Sequence, residues 1–230
     1  MESIITSDPN QSLSLRGQVP LIYRQGKYPG RGKMSIVYRY GTNLYINLTN
    51  KCPCSCIFCV RDTTPKLGDA DSLWLKEEPT SDQIMEALRA CDLDSAGQIV
   101  FCGYGEPTER LEVLKETARR IRSELRKTIR VDTNGLGNLI NGRDIVPELA
   151  EVIDSISISL NAPDAESYKK MTRCVFDAEE AYTSLMSFIR ECKERIGGVT
   201  VSIVGGYQPA EDEEKCRRIA EDLGVRFRVR

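Results

Sequence analysis

The chain has 230 residues, enough for one α/β domain with a full hydrophobic core. Its 34 acidic and 32 basic residues nearly balance, and it has no histidine, which excludes histidine general bases, histidine-ligated metals and serine–histidine triads. No apolar run reaches membrane-spanning length and the N-terminus lacks an apolar signal core, so a cytoplasmic protein without membrane contact is expected.

Residues 1–33 read as a loose arm, followed by one core domain over 34–230. From Pro9 through Arg61 there is no acid, whereas Arg16, Arg24, Lys27, Arg31, Lys33, Arg39, Lys51 and Arg61 are basic. An arm that meets a polyanion and a solvated leader both fit this asymmetry. The bases are sparse among Gly, Pro and Ser, which favours the leader. Residues 35–40 and 43–48 alternate apolar and polar around Gly41-Thr42, the pattern of a hairpin. Its second strand delivers the chain into Cys52-Pro-Cys54-Ser-Cys56-Ile-Phe58-Cys59. Residues 62–79 form a long loop that contains the single tryptophan, Trp74.

Strands and helices then alternate. Thr80-Ser-Asp-Gln83 is a capping box, and Ile84, Ala87, Leu88 and Cys91 share one helical face. A strand over 98–102 ends in Gly103-Tyr104-Gly105-Glu106-Pro107, and Thr108 is placed to cap the next helix. Leu111, Leu114, Ala118, Ile121 and Leu125 keep helical spacing there. A strand over 128–133 runs into Asn134-Gly135, with a helix over 145–152 after it. The strand 155–160 ends at Asn161, and helices are expected over 165–171 and 178–196. The strand 199–204 ends in Gly205-Gly206, the helix 211–223 stops at Gly224, and 225–229 is the last strand.

Six strands in βα alternation imply a parallel sheet with right-handed crossovers. The strands alternate apolar and polar residues rather than running continuously apolar, so one face packs on helices and the other is polar. Six strands are too few for eight-stranded closure. The expectation is a partial, laterally open (βα)6 barrel with an N-terminal hairpin and arm and a wet concave face. The cysteine run, the glycine turn at 103–107, Thr133–Gly135, Ser159–Asn161 and Gly205-Gly206 all fall at strand C-terminal ends, where such architectures build sites.

The cysteine run needs a metal, because thiolates this crowded repel one another unless a cation holds them. Cys52, Cys56 and Cys59 have the spacing C-x3-C-x2-C, suited to three corners of a four-iron cluster, with Phe58 as an apolar plate beside it. A structural zinc site splits its ligands into two pairs on separate knuckles, and no second pair follows here. Cys54 falls outside the three-cysteine spacing; a register that uses it stays open. Cys91, Cys102, Cys174, Cys192 and Cys216 are scattered and read as buried free thiols.

The cysteine loop resembles the signature of radical S-adenosylmethionine (SAM) enzymes. With Ile36–Tyr40, Asn43–Asn50, Phe101–Thr108, Asp132–Gly135, Asn138–Asp144, Ser159–Asp164 and Phe227–Arg230, the chain resembles more closely the TatD-associated radical SAM family. The resemblance also implies the partial barrel. It further implies a [4Fe–4S] cluster on Cys52, Cys56 and Cys59, whose open iron binds SAM and cleaves it reductively to a 5′-deoxyadenosyl radical that abstracts hydrogen. Gly103, Tyr104, Gly105 and Glu106 would then meet the amino end of SAM, Thr133 and Asn134 its methionine part, and Ser159 and Asn161 its ribose. Tyr104 stands where many of the wider superfamily have glycine. An electron donor of flavodoxin or ferredoxin type and a TatD-like hydrolase are the partners implied. The different-class alternative is a non-catalytic zinc or iron–sulfur protein associated with nucleic acid or a nuclease partner.

The substrate is expected to be large or anionic, such as a protein or nucleic acid, because the chain ends at its sixth strand without a capping domain. Strand alternation adds its own candidates. Arg130, Asp132, Arg226 and Arg228 fall on the polar face, opposite Val131, Val225, Phe227 and Val229, and suit a carboxylate or phosphate ligand.

Overall fold

The computed structural model describes residues 35–64 and 67–230. The arm expected over 1–33 lies outside the described residues. Seven strands form one sheet in sequence order: β1 (Val37–Tyr40), β2 (Asn43–Ile46), β3 (Ile99–Phe101), β4 (Ile129–Thr133), β5 (Ser155–Ser159), β6 (Gly198–Ile203) and β7 (Arg226–Val229). β1 pairs antiparallel with β2 through the turn at Gly41, whose φ of +59° suits glycine. Every later pairing is parallel, and β7 does not pair back onto β1, so the six-stranded parallel part is an open barrel, as expected.

Period-two alternation sets the two faces. Leu44, Ile46, Ile99, Phe101, Ile129, Val131, Ile156, Ile158, Val201 and Ile203 are buried on the outer face. Against them pack Ile84, Met85 and Leu88 of the helix Ser81–Arg89 and Leu111, Leu114 and Ala118 of the helix Leu111–Arg120. Leu185, Phe188, Ile189 and Cys192 of the long helix Ala178–Arg195, and Cys216 and Ala220 of the helix Ala210–Asp222, complete this layer. A helix with one apolar stripe is stable only where that stripe is covered, and the sheet covers all four.

Local chemistry sets several element ends. Thr80 closes the expected capping box with Gln83. The cap after β3 is not Thr108: Glu106 takes that place, accepting from the Thr108 amide at the start of the 3-10 turn Pro107–Arg110. A carboxylate suits the partial positive charge of that turn better than a hydroxyl. The segment expected as one helix over 145–152 is shorter, Val146–Ala150, and is preceded by an unforeseen turn of helix at Gly137–Asn141.

The concave face is only partly polar. Tyr38 and Tyr45 stack there with ring centroids 5.3 Å apart. The loop after the cysteines folds over them, so Tyr38, Ala70, Leu73 and Tyr104 form a second apolar cluster with Trp74 against it. Asn47 and Asn50 fasten this loop, donating to the carbonyls of Leu73 (2.6 Å) and Leu75 (2.7 Å). The wet part of the concave face is therefore confined to the side of β4 to β7.

Candidate functional site

The cysteine run leaves β2 at the C-terminal mouth of the barrel and ends in a short helix, Val60–Thr63. Cys54 is only 2% exposed, while Cys52, Cys56 and Cys59 are half-buried. A cluster that must be reached by a second ligand and by electrons needs thiols at the mouth, and the three at C-x3-C-x2-C spacing occupy it. Hydrogen bonding with Cys52 and Cys56, with burial, pushes the Cys54 thiol well up; the bond with Cys54 pulls the Cys56 thiol down. Burial pushes the Cys59 thiol up, and Arg61 opposes it.

Arg61, which sequence spacing did not single out, clamps this loop. It is 2% exposed and donates from Nε to Cys59 Sγ (3.3 Å), from Nη1 to the Asn50 carbonyl (3.1 Å) and from Nη2 to the Cys54 carbonyl (3.3 Å). Its guanidinium also sits 6.0 Å from the Trp74 ring centroid. Burial opposes its charge, yet the Cys59 sulfur holds its pKa above the ordinary value. The one signal in the sequence was a basic residue two places after the last cysteine. From the opposite wall, Asn134 Nδ2 approaches Cys52 Sγ (3.9 Å) and Cys54 Sγ (3.8 Å). Phe58 packs edge-on against Tyr207, centroids 5.5 Å apart, so the loop after β6 touches the cysteine run there.

The glycine turn serves the protein's own backbone. A Cβ on Gly105 would lie 2.6 Å from the Lys51 carbonyl oxygen and closer still to that of Thr49, so only glycine lets the turn meet the lead-in to the cysteines. Gly103 presses likewise on Asn47, whose Cγ would be 2.6 Å from an added Cβ. Tyr104 turns into the second apolar cluster, its amide donating to Asn47 Oδ1 and its hydroxyl to the Thr64 carbonyl. Glu106 is buried and accepts four hydrogen bonds: from the Thr108 amide (3.1 Å) and hydroxyl (2.8 Å), the Thr133 hydroxyl (2.7 Å) and the Asn134 amide (2.7 Å). Burial raises its pKa and these donors pull it back. Glu106 thus staples the end of β3 to the end of β4, which fixes Asn134 beside the sulfurs.

Across the mouth, Asn161 adopts a left-handed backbone (φ +60°) and is 3% exposed. Its Oδ1 has no partner among the described residues. A buried acceptor left open is costly unless a ligand donor meets it. Ser159 Oγ accepts at 2.8 Å from Nη2 of Arg230, the residue that follows β7, which is not among the arginines that strand alternation singles out. Deeper in the barrel, Arg130 is already paired. It donates to Asp132 at 2.7 and 3.2 Å, to Gln98 Oε1 and to the Tyr45 hydroxyl. Arg226 and Arg228 stand exposed on β7 across a cavity of about 390 Å³. Among the described residues no helix is long and apolar enough to cross a membrane.

The donor set fits a four-iron cluster: three thiols on one loop at the mouth, with N–H donors from Arg61 and Asn134 aimed at sulfur. The open Asn161 acceptor fits a ligand that carries hydroxyls. The sequence pattern of the Radical SAM superfamily matches residues 46–223. Similar curated proteins include a probable GTP 3′,8-cyclase of Thermococcus kodakarensis, 29% identical over 132 residues that make up 57% of this chain and 38% of the relative. Molybdenum cofactor biosynthesis protein 1 of Drosophila melanogaster is 25% identical over 80% of this chain and 28% of its own length. This chain therefore spans well under half of either relative. Streptococcus suis SuiB bound to its precursor peptide SuiA is similar in fold, with a TM-score of 0.61 at 16% identity over 80% of this chain and 38% of SuiB. SuiB bound to S-adenosylmethionine gives 0.57 over 77% of this chain and 37% of SuiB.

Proposed function

The chain belongs to the radical SAM superfamily, whose cofactors are a [4Fe–4S] cluster and S-adenosylmethionine, and we propose that it is an enzyme that holds the cluster on Cys52, Cys56 and Cys59. When bound, these cofactors supply one-electron cleavage of SAM to methionine and a hydrogen-abstracting 5′-deoxyadenosyl radical. The observation that carries the reading is the half-buried C-x3-C-x2-C loop at the barrel mouth, with Arg61 and Asn134 donating to its sulfurs.

This chain's residues do the positioning. Arg61 holds Cys59 and ties two carbonyls of the loop, so the three thiols keep one spacing. Glu106 orients the backbone of Asn134 through its amide. Asn161 Oδ1 offers an acceptor to a ribose hydroxyl, and Ser159 is oriented beside it by Arg230. The turn Gly103–Glu106 would meet the amino end of SAM through its backbone, because the Tyr104 side chain is turned into the second apolar cluster. Phe58 is held at the loop by its edge-on contact with Tyr207. Within the superfamily the motifs resemble the TatD-associated branch; pairing with a TatD-like hydrolase, a cytoplasmic setting, a flavodoxin- or ferredoxin-like electron donor and a large or anionic substrate are part of the proposal.

Anaerobic reconstitution tests it. The protein is expected to take up about four irons per chain. With dithionite and SAM it should release 5′-deoxyadenosine, read by mass spectrometry, even without its substrate. Cys52→Ala, Cys56→Ala and Cys59→Ala should each lose the iron, and Cys54→Ala should keep it. A loaded cluster that yields no 5′-deoxyadenosine with any reductant would return the chain to the non-catalytic alternative. Loss of iron in Cys54→Ala with retention in Cys52→Ala would refute the register.

A further inference from the structure

Along β7 and the residue that follows it, every second residue is an arginine: Arg226, Arg228 and Arg230. Period-two geometry puts all three on the concave face, roughly 6.6 Å apart along the strand. They lean across β6 toward the serines of β5. Arg230 Nη2 reaches Ser159 Oγ at 2.8 Å and Arg228 Nη2 reaches Ser157 Oγ at 3.4 Å. Arg226 Nη2 lies 3.3 Å from where Gly198 would carry a Cβ, so the glycine makes room for it to lie flat. β6 offers only Gly198, Thr200 and Ser202 on this face, all small.

Among the described residues the ladder carries more positive charge than the acids facing it. No ion pair to Arg226, Arg228 or Arg230 occurs among the described residues; Asp132, the acid on the same face, is engaged by Arg130. Ser155 Oγ, on the cavity wall, is buried without a partner among the described residues. The cavity of about 390 Å³ is bounded by Gln98, Arg130, Ser157, Thr200, Arg226 and Arg228, a size that suits a small-molecule site. A single carboxylate would neutralise one of three guanidiniums. A phosphate ester carries nearly two charges and several acceptor oxygens, and guanidinium meets it bidentately.

We infer that this ladder binds the phosphate end of an organophosphate substrate, held by Arg226 and Arg228 with the hydroxyl of Ser155 on the cavity wall. Arg230, one step up the strand, stands at the mouth beside Ser159, so the rest of the substrate extends toward the cysteine loop. That orientation rests on the reading of the mouth as the reaction site; capture of the phosphate does not.

The test is calorimetric titration of the full chain with inorganic pyrophosphate at low salt, without reductant or SAM, so its outcome is separate from that of the 5′-deoxyadenosine assay. One pyrophosphate should bind per chain. Arg226→Met and Arg228→Met should each weaken it by roughly 10- to 100-fold, the loss that accompanies removal of a charged hydrogen-bonding partner. Arg228→Lys should fall between, and Arg190→Met, on the exposed face of the long helix, should leave binding unchanged. Melting curves establish that each variant folds. Binding that is equal in all variants would overturn the proposal and assign the arginines to a solvated edge strand. So would tighter binding of citrate or of a single-stranded oligonucleotide than of pyrophosphate.

Discussion

Arg61 is the residue whose replacement discriminates most sharply between a cluster loop and an inert thiol loop. Arg61→Met removes a full positive charge whose Nε is 3.3 Å from Cys59 Sγ. A unit charge at that distance interacts by about 5 kcal/mol at an effective dielectric of about 20. An electron added to a four-iron cluster is shared over the whole cluster, so roughly a quarter of this, about 1.3 kcal/mol, distinguishes the reduced from the oxidised state. For a one-electron couple that is about 55 mV, and because the lost charge favoured the reduced form, the potential should fall by that amount. The assay is an anaerobic redox titration of the reconstituted protein followed by electron paramagnetic resonance. Arg61→Lys, which keeps the charge, should recover much of the shift. The Asn50 and Cys54 carbonyls also lose their donors in Arg61→Met, so a stability loss of about 1–3 kcal/mol should accompany it. Full iron loading with an unchanged potential would refute the reasoning and leave Arg61 as a clamp alone.

Three further outcomes follow from the geometry around the loop. Gly105→Val should cost iron loading as well as fold stability, since the side chain would strike the Thr49 and Lys51 carbonyls that lead into the cysteines; iron content and urea unfolding read this. Glu106→Gln should destabilise by about 1–3 kcal/mol, because the new amide group would face the Asn134 N–H that the carboxylate now accepts, and urea unfolding measures it. Burial, with Glu106 nearby, pushes Glu109 up to about 7, Lys51 opposing and Glu78 adding to it. The folded state therefore favours protonated Glu109, and its charging costs stability as pH rises from about 4.5 to 7. Glu109→Gln should be neutral near pH 4.5 and stabilising by about 1 kcal/mol at pH 8, a value discounted for partial solvent exposure; equal effects at both pH values would contradict it.

The elements were legible because their signals are local. Ser-Ile-Ser-Ile-Ser over 155–159 states a two-faced strand without reference to any neighbour, and Thr80 with Gln83 states a helix start. The order of six such strands then leaves few topologies, and the open barrel is the one adopted. What local signals did not show was how the concave face is covered. The concave face looked uniformly wet from alternation, yet Tyr38 and Tyr45 share it, and the loop carrying Leu73 and Trp74 returns over them from thirty residues away in sequence. Nothing local marks that return; it is fixed by Asn47 and Asn50, whose side chains read as ordinary polar strand-end residues.

The same limit explains the site. Cysteine spacing is a local signal and located the loop; the supports of the loop are not local. Gly103 and Gly105 suggested backbone making room for a ligand, but the nearest atoms belong to Asn47, Thr49 and Lys51, so the glycines first allow two strand ends to touch. Glu106 sits in the same turn, and its two oxygens already accept four hydrogen bonds, two from Thr108 and two from the next strand end. A turn that serves as joint and wall at once cannot be enlarged without moving the cysteines. Arg226 and Arg228 are under no such constraint: they line the open cavity, and Arg228 donates to the Ser157 hydroxyl. Substitution there should alter what is bound while leaving the cluster loop intact, whereas substitution at Gly105 should disturb both. Iron content and pyrophosphate affinity, measured on the same two variants Gly105→Val and Arg228→Met, separate the roles, because only the first should lose iron.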